Sequence, residues 1–206
     1  MSAGRGFIIV ISGPSGAGKG TIAEGALKRF PWLSRSVSAT TRAPRAGEIA
    51  GEHKMFKSPS EFSAMVERGE LLEWTTYLDH SYGTPRAQID QRLAAGRSVL
   101  CDVDIVGARY IKAAYPDAVL VFVVPPSWEM LAARLTARQS ETPEALARRL
   151  ALAHREIEAV DDYDYVIVND RVDDAIDLLC AIIRAEQARS SRTDLGYLRE
   201  RARTTR

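Results

Sequence analysis

Between a strand-like run, Phe7-Ile8-Ile9-Val10-Ile11, and a helical pattern from about Gly18 to Phe30 lies the stretch Gly13-Pro14-Ser15-Gly16-Ala17-Gly18-Lys19-Gly20-Thr21. It follows the pattern G-x-x-x-x-G-K. Glycines at these positions let successive backbone N–H groups curl around phosphate oxygens, and the lysine reaches the outer phosphates. The helix that starts there adds free N–H groups and a favourable dipole. A glycine-rich strand-to-helix turn without a ligand is the plain alternative, but the full motif in its strand–loop–helix setting favours a loop that binds a nucleoside triphosphate. One position departs from the common pattern. Gly20 follows Lys19 where Ser or Thr usually stands as a magnesium ligand, and Thr21 comes one place later.

A run as short and continuously apolar as Phe7–Ile11 suits a strand buried on both faces of a parallel sheet. Val99–Val103, Val119–Val124 and Tyr165–Val168 repeat that character. Helical patterns alternate with them over about 105–114, 127–138, 143–160 and 172–188. This alternation implies right-handed βαβ units, hence an α/β fold with a parallel sheet flanked by helices. Two inserts interrupt the rhythm. Residues 38–91 are polar and mixed, with a helix start at Ser58-Pro59-Ser60-Glu61, where serine caps, proline opens and glutamate follows three on. Residues 127–155 are helical and rich in arginine. The expected core is therefore 1–37, 92–126 and 156–188, and residues 189–206, with six arginines and two acids, read as a mobile basic tail.

At 206 residues the chain suffices for one sizeable core with inserted lobes. Its net charge of +1 argues against a protein devoted to nucleic-acid backbone binding, while leaving room for a local cationic pocket. Cys101 and Cys180 sit in apolar contexts without metal-ligand spacing, as reduced core residues do. The N-terminal segment lacks a signal-peptide pattern and no run approaches a membrane span, so a cytoplasmic protein is expected. Oligomeric state leaves no mark in the sequence.

Thr40-Thr41-Arg42-Ala43-Pro44-Arg45-Ala46-Gly47-Glu48 places two arginines three apart around a proline, with almost nothing apolar to bury. Taken alone this is a solvated turn. Downstream of a phosphate loop it suits a second anionic site, because donor and acceptor phosphates repel each other until cations screen them. A guanidinium meets phosphate oxygens in a bidentate fork and stays charged at any physiological pH.

In order along the chain, "GPSGAGKGT", "SVSATTRAPRAGE", "LLEW", "YGT", "DVD" and "VIVND" make the sequence similar to a guanylate kinase over about residues 6–188. The K-G-T ending of the loop also occurs in nucleoside monophosphate kinases. The resemblance implies a P-loop core, a GMP-binding lobe over 38–91 and a lid over 127–155. It also implies transfer of the γ-phosphate of magnesium-bound ATP to GMP, in purine nucleotide metabolism. Carried over, it puts Arg42 and Arg45 on the GMP phosphate, with Ser38, Glu73, Tyr82, Thr84 and Asp104 lining the GMP site. Arg134, Arg138 and Arg149 become lid arginines that close over the transferring group, and Asn169 lies near the adenine of ATP. Lys19, Arg42 and the three lid arginines would carry catalysis.

Chemistry supports Glu73 independently. Guanine presents N1–H and an exocyclic N2 amine side by side, and one carboxylate accepts both, whereas adenine would leave it unpaired. Without the resemblance, however, Glu73 is equally a solvated strand end, Tyr82 a core aromatic, Asp104 a helix N-cap and the lid arginines a solvated helix face. At one position the chain departs from the family: Lys54 stands where a tyrosine usually contacts the GMP phosphate. Lysine is a flexible point charge there, expected either to face the acceptor phosphate or to point into solvent. Val106 and the "RQSET" turn depart too, without removing a needed charge. Rival readings are a kinase for another phosphorylated acceptor such as ribose 1,5-bisphosphate, an interaction module that keeps only the fold, and a simple NTPase switch.

Overall fold

The structure, a computed structural model, describes residues 5–45, 47–77, 79–136, 143–193 and 196. Five parallel strands form the core sheet in the order β2-β7-β1-β8-β9: β1 (Ile8–Ser12), β2 (Leu33–Arg35), β7 (Ser98–Asp102), β8 (Val119–Val124) and β9 (Tyr165–Val168). Ile8 to Ile11 are all nearly inaccessible, as a central strand covered on both faces requires. On one face Ile9 and Ile11 pack with Ile22 and Ala26 of α1 (Lys19–Arg29) and Leu179 and Ile183 of α7 (Val172–Gln187). On the other, Ile8 and Val10 pack with Ile89 of α3 (Arg86–Ala94) and Ile111 of α4 (Ile105–Ala114).

A second, mixed sheet has the order β4-β3-β6-β5, from β3 (Ala39–Thr40), β4 (Met55–Phe56), β5 (Leu71–Tyr77) and β6 (His80–Pro85). Helix α2 (Pro59–Glu67) closes its small core through Phe62 and Met65. Its start carries a complete capping box: Ser58 Oγ accepts from the Glu61 N–H at 3.2 Å, and Glu61 Oε2 accepts from the Ser58 N–H at 2.7 Å. Helices α5 (Trp128–Thr136) and α6 (Pro143–Ile157) pack through Leu131, Leu135 and Ala153. A 3-10 turn, Glu158–Asp162, leads from α6 to β9.

The chain's helix and strand patterns fall within a residue or two of the observed elements in the core, and β2, α3 and the four strands of the second sheet are additions. The first residues of the segment read from sequence as a mobile tail are docked. Arg192 is 5% exposed. It donates to the carbonyls of Asp117 (2.7 Å) and Glu186 (2.9 Å), pairs with the Glu186 carboxylate and lies 4.3 Å from the Phe7 ring centre. The Arg5 N–H in turn donates to the Arg192 carbonyl at 2.9 Å.

Candidate active site

The phosphate loop follows β1 and opens α1, and two of its glycines are required by geometry. At Gly13 (φ 137°) a Cβ would lie 2.0 Å from the Val123 carbonyl oxygen. At Gly18 (φ 94°), which caps α1, it would lie 2.2 Å from Nδ2 of Asn169. Asn169 is itself buried, and its amide donates to the Ala17 carbonyl at 2.7 Å. The residue expected near adenine thus sits behind the loop as a brace. Lys19 Nζ lies back on the loop, donating to the carbonyls of Gly13 (2.6 Å) and Pro14 (3.1 Å).

A cleft of about 610 Å³ runs from this loop to the second sheet. That volume lies within the range of small-molecule sites. Its loop end is lined by Ser15, Gly16, Lys19, Gly20 and Thr21, and its far end by Ser38, Arg42, Arg45, Lys54, Glu73 and Tyr82. Asp102 and Asp104, at the carboxyl end of β7, lie between, where parallel sheets hold their ligands.

The two arginines are organised by a residue that the sequence reading quoted but did not single out. Glu48 Oε1 takes Arg42 Nη2 at 2.8 Å, and Glu48 Oε2 accepts from the Arg45 N–H at 2.7 Å. The acid three residues after the second arginine was the available signal. The Arg42 hydrogen bond holds the Glu48 carboxyl below the usual range and raises the guanidinium in return. The Arg42 guanidinium also lies 5.9 Å from the Phe56 ring centre. Lys54 faces the same cleft rather than solvent. Burial holds its ammonium below the ordinary lysine range, opposed by Asp102 and assisted by Arg35 and Arg42.

Glu73 is 6% exposed. A register shift between Leu71 and Glu73 lets both Leu71 and Leu72 turn into cores and sets Glu73 directly opposite Thr84. Thr84 Oγ1, fully buried, donates to Glu73 Oε1 at 2.6 Å. Thr84 thus reaches the cleft through Glu73. The other carboxylate oxygen faces α4, where a Cβ on Gly107 would lie 3.0 Å from both Oε2 and Cδ. Burial pushes the Glu73 carboxyl up to about 7 against the Thr84 hydrogen bond, and Asp104 adds to the rise. Asp104 both caps α4, with Oδ1 accepting from the Gly107 N–H at 2.8 Å, and lines the cleft.

Arg149 of α6 lines the cleft, whereas Arg134 of α5 donates to the Asn169 carbonyl at 3.0 Å. Arg138 lies outside the described residues. The sequence reading missed Glu156 entirely. It projects from α6 into the loop end of the cleft and is 6% exposed. Its spacing from Arg149 and the buried Ala153, seven and three residues, places an acid on the inward helix face, and that was the legible signal.

A parallel core with a phosphate loop at its first strand-to-helix turn defines a P-loop nucleotide-binding protein, and the cationic far end of the cleft adds a place for a second anion. Comparison with known proteins narrows this class. The guanylate kinase family model matches residues 5–186. The guanylate kinase of Desulfitobacterium hafniense (strain Y51) is 45% identical over 93% of this chain and 96% of the relative. That of Nocardia farcinica (strain IFM 10152) is 48% identical over 90% and 97%. The crystal structure of guanylate kinase from Anaplasma phagocytophilum superposes with a TM-score of 0.81 at 32% identity, covering 96% of this chain and 95% of that one. The chain belongs to the guanylate kinase family.

Proposed function

We propose that this protein transfers the γ-phosphate of magnesium-bound ATP to GMP, giving ADP and GDP. The observation that carries this reading is one cleft with a phosphate loop at one end and, at the other, Arg42, Arg45 and Lys54 beside a buried carboxylate, Glu73. In this assignment residues 38–91 are the acceptor lobe and 127–155 the lid. Arg42 and Arg45 grip the GMP phosphate, with Lys54 adding a third charge in place of an aromatic hydroxyl. Glu73, held from behind by Thr84, accepts from guanine N1–H and N2–H. Ser38, Tyr82 and Asp104 complete the acceptor wall.

Transfer is direct and in line. The acceptor oxygen of GMP forms a bond to the γ-phosphorus as the bond to the bridging oxygen of ADP breaks, with no covalent enzyme intermediate. The attacking oxygen is already ionised, so no strong general base is needed, and positioning and electrostatics supply the rate. Lys19 must leave the Gly13 and Pro14 carbonyls to reach the outer phosphates. Arg149, with Arg134 and Arg138, neutralises the transferring group as the lid closes and excludes water. Magnesium carried in by ATP would screen the phosphate charge beside the loop. Asp102 and Asp104, which line the cleft between the loop and the second sheet, suit the water shell of an ion carried by the substrate, and among the described residues no three His, Cys, Asp or Glu side chains are grouped to hold a metal. Buried thiols at Cys101 and Cys180 support a reducing, cytoplasmic setting, and among the described residues no helix is long and apolar enough to cross a membrane.

The test is ADP formation from Mg-ATP across GMP, dGMP, AMP, CMP and UMP with a no-acceptor control. Turnover confined to the guanine nucleotides is expected, and equal turnover without acceptor would overturn the reading. Lys54→Ala is expected to raise the KM for GMP about tenfold with little change for ATP, the size of one phosphate contact.

A further inference from the structure

Glu156 is a buried carboxylate that the reaction as described does not use. The residue is 6% exposed, no described residue makes a hydrogen bond to its side chain, and its carboxylate opens on the cleft. An ionised carboxylate in such a place is costly unless something supplies donors or positive charge. What it faces is the loop end of the cleft, with Lys19 and Asp104 as its charged neighbours. The Lys19 ammonium is engaged by two loop carbonyls, and Asp104 is an acid with one oxygen already taken by the Gly107 N–H. Burial accordingly raises the Glu156 carboxyl to about 7. Asp102 lines the same cleft. The place where a triphosphate must lie therefore has an acidic wall facing the basic loop.

We infer that Glu156 makes the donor end of the cleft select the cation-bound form of the nucleoside triphosphate, by accepting hydrogen bonds from the water shell of a divalent ion. The inference rests on the nucleotide-binding reading of the loop. A bare triphosphate carries about four negative charges at neutral pH and is repelled by this wall. A magnesium-bound one has part of that charge cancelled, and its coordinated waters are strong donors aimed outward. Magnesium dehydrates reluctantly and keeps several waters, so a lone carboxylate beside phosphates suits outer-shell contact. Helix α6 then presents two signs of charge to one ligand: Arg149 for phosphate oxygens and, two turns on, Glu156 for the hydrated cation. Glu156 acts through the ion and is a positioning residue.

Binding of ATP to the full chain, followed by calorimetry at pH 8 in excess magnesium and in EDTA, tests this without turnover. In the unaltered chain Mg-ATP should bind at least about tenfold more tightly than free ATP. Glu156→Gln should bind free ATP about tenfold more tightly than the unaltered chain does, while Mg-ATP affinity holds or weakens, so the preference for the cation-bound form collapses. Glu156→Asp, which keeps the charge, should retain that preference. The exposed neighbour Glu158 supplies the control: Glu158→Gln removes the same charge outside the cleft and should change nothing. A preference unchanged within about twofold in a folded Glu156→Gln, or one lost equally in Glu158→Gln, would overturn the inference. If Glu156→Gln did not fold, loss of the preference in Glu156→Asp with Mg-ATP still bound would overturn it instead. Failure of the unaltered chain to bind ATP in either condition would overturn the nucleotide-binding reading itself.

Discussion

Glu186, at the end of the core sheet away from the cleft, and Glu156, inside it, are equally sheltered from water, at 5% and 6% exposure. Their proton affinities move in opposite directions. Burial acts to raise both. At Glu186 the Tyr165 hydroxyl (2.6 Å) and the Arg192 guanidinium, with Arg189 nearby, outweigh it and hold the carboxyl below its usual range. At Glu156 nothing does, and Glu73 lies between, with one oxygen bonded to Thr84 and the other pressed toward Gly107. The lesson is that burial alone does not distinguish a structural carboxylate from a functional one. The count of donors that the fold itself supplies does so. Where the fold supplies all of them, the group is an anchor, and where it withholds them, a ligand is left to provide the rest.

The largest effect is expected at the anchor. Arg192→Ala should leave the buried Glu186 carboxylate with only the Tyr165 hydroxyl and a long Arg189 contact of 3.3 Å and destabilise the protein by about 4 kcal/mol, lowering the melting temperature by roughly 10 °C in a chain of this size. Chemical denaturation and thermal melts would check it. A loss under 1 kcal/mol would mean that the docked residues Arg189–Thr193 contribute little.

At the half-paired carboxylate the loss should appear in activity instead. Glu73→Gln replaces one acceptor oxygen with a donor and should lower kcat/KM for GMP by at least about a hundredfold while leaving ATP affinity intact. The unaltered enzyme should show the same dependence in its pH profile. With the Glu73 carboxyl near 7, the KM for GMP should rise as pH falls below 7, because the protonated group can no longer accept from both guanine N–H donors. A profile that keeps this limb in Glu73→Gln would move the titration to another group.

A smaller effect should come from behind the reader. In Gly107→Ala the added methyl meets the Glu73 carboxylate at 3.0 Å, and the KM for GMP should rise about tenfold with the Mg-ATP KM unchanged. In a Glu73→Ala background the same change should have no further effect on GMP, as a double-mutant cycle would show.

The smallest expected effect is one of sign. A carboxyl raised in the folded state costs stability as pH climbs from about 4.5, its unfolded value, through about 7. Glu156→Gln should therefore stabilise the ligand-free protein at pH 8 by about 1 kcal/mol, or roughly 2–4 °C, an effect that fades toward about pH 4. Glu186→Gln should do the reverse. A carboxyl lowered by folding contributes stability that is full above its unfolded value and fades as pH falls through the folded one. That substitution should destabilise at pH 8 and matter less near pH 3.

Much of this molecule was legible before any fold was known, for a physical reason. The core strands and helices announce themselves because a strand covered on both faces must be apolar throughout, as Ile8–Ile11 and Val119–Val124 are, and a capped helix shows its start at Ser58 and Glu61. The phosphate loop and the paired arginines are equally local, since their geometry is set within nine residues. Strands β3 and β4, at two residues each, were not legible, because so short a strand has no period to read.

Which residues stand behind which is settled by long-range packing alone. Residues 17 and 169 meet so that an amide can brace the loop; 73, 84 and 107 meet so that a carboxylate is held and confined; 7, 117, 186 and 192 meet so that a basic segment becomes an anchor. The identity of each residue is written in the chain. Its proton affinity and its role depend on burial and on donors brought from distant positions, and those exist only once the sheet, the lobe and helix α6 have closed around one cleft.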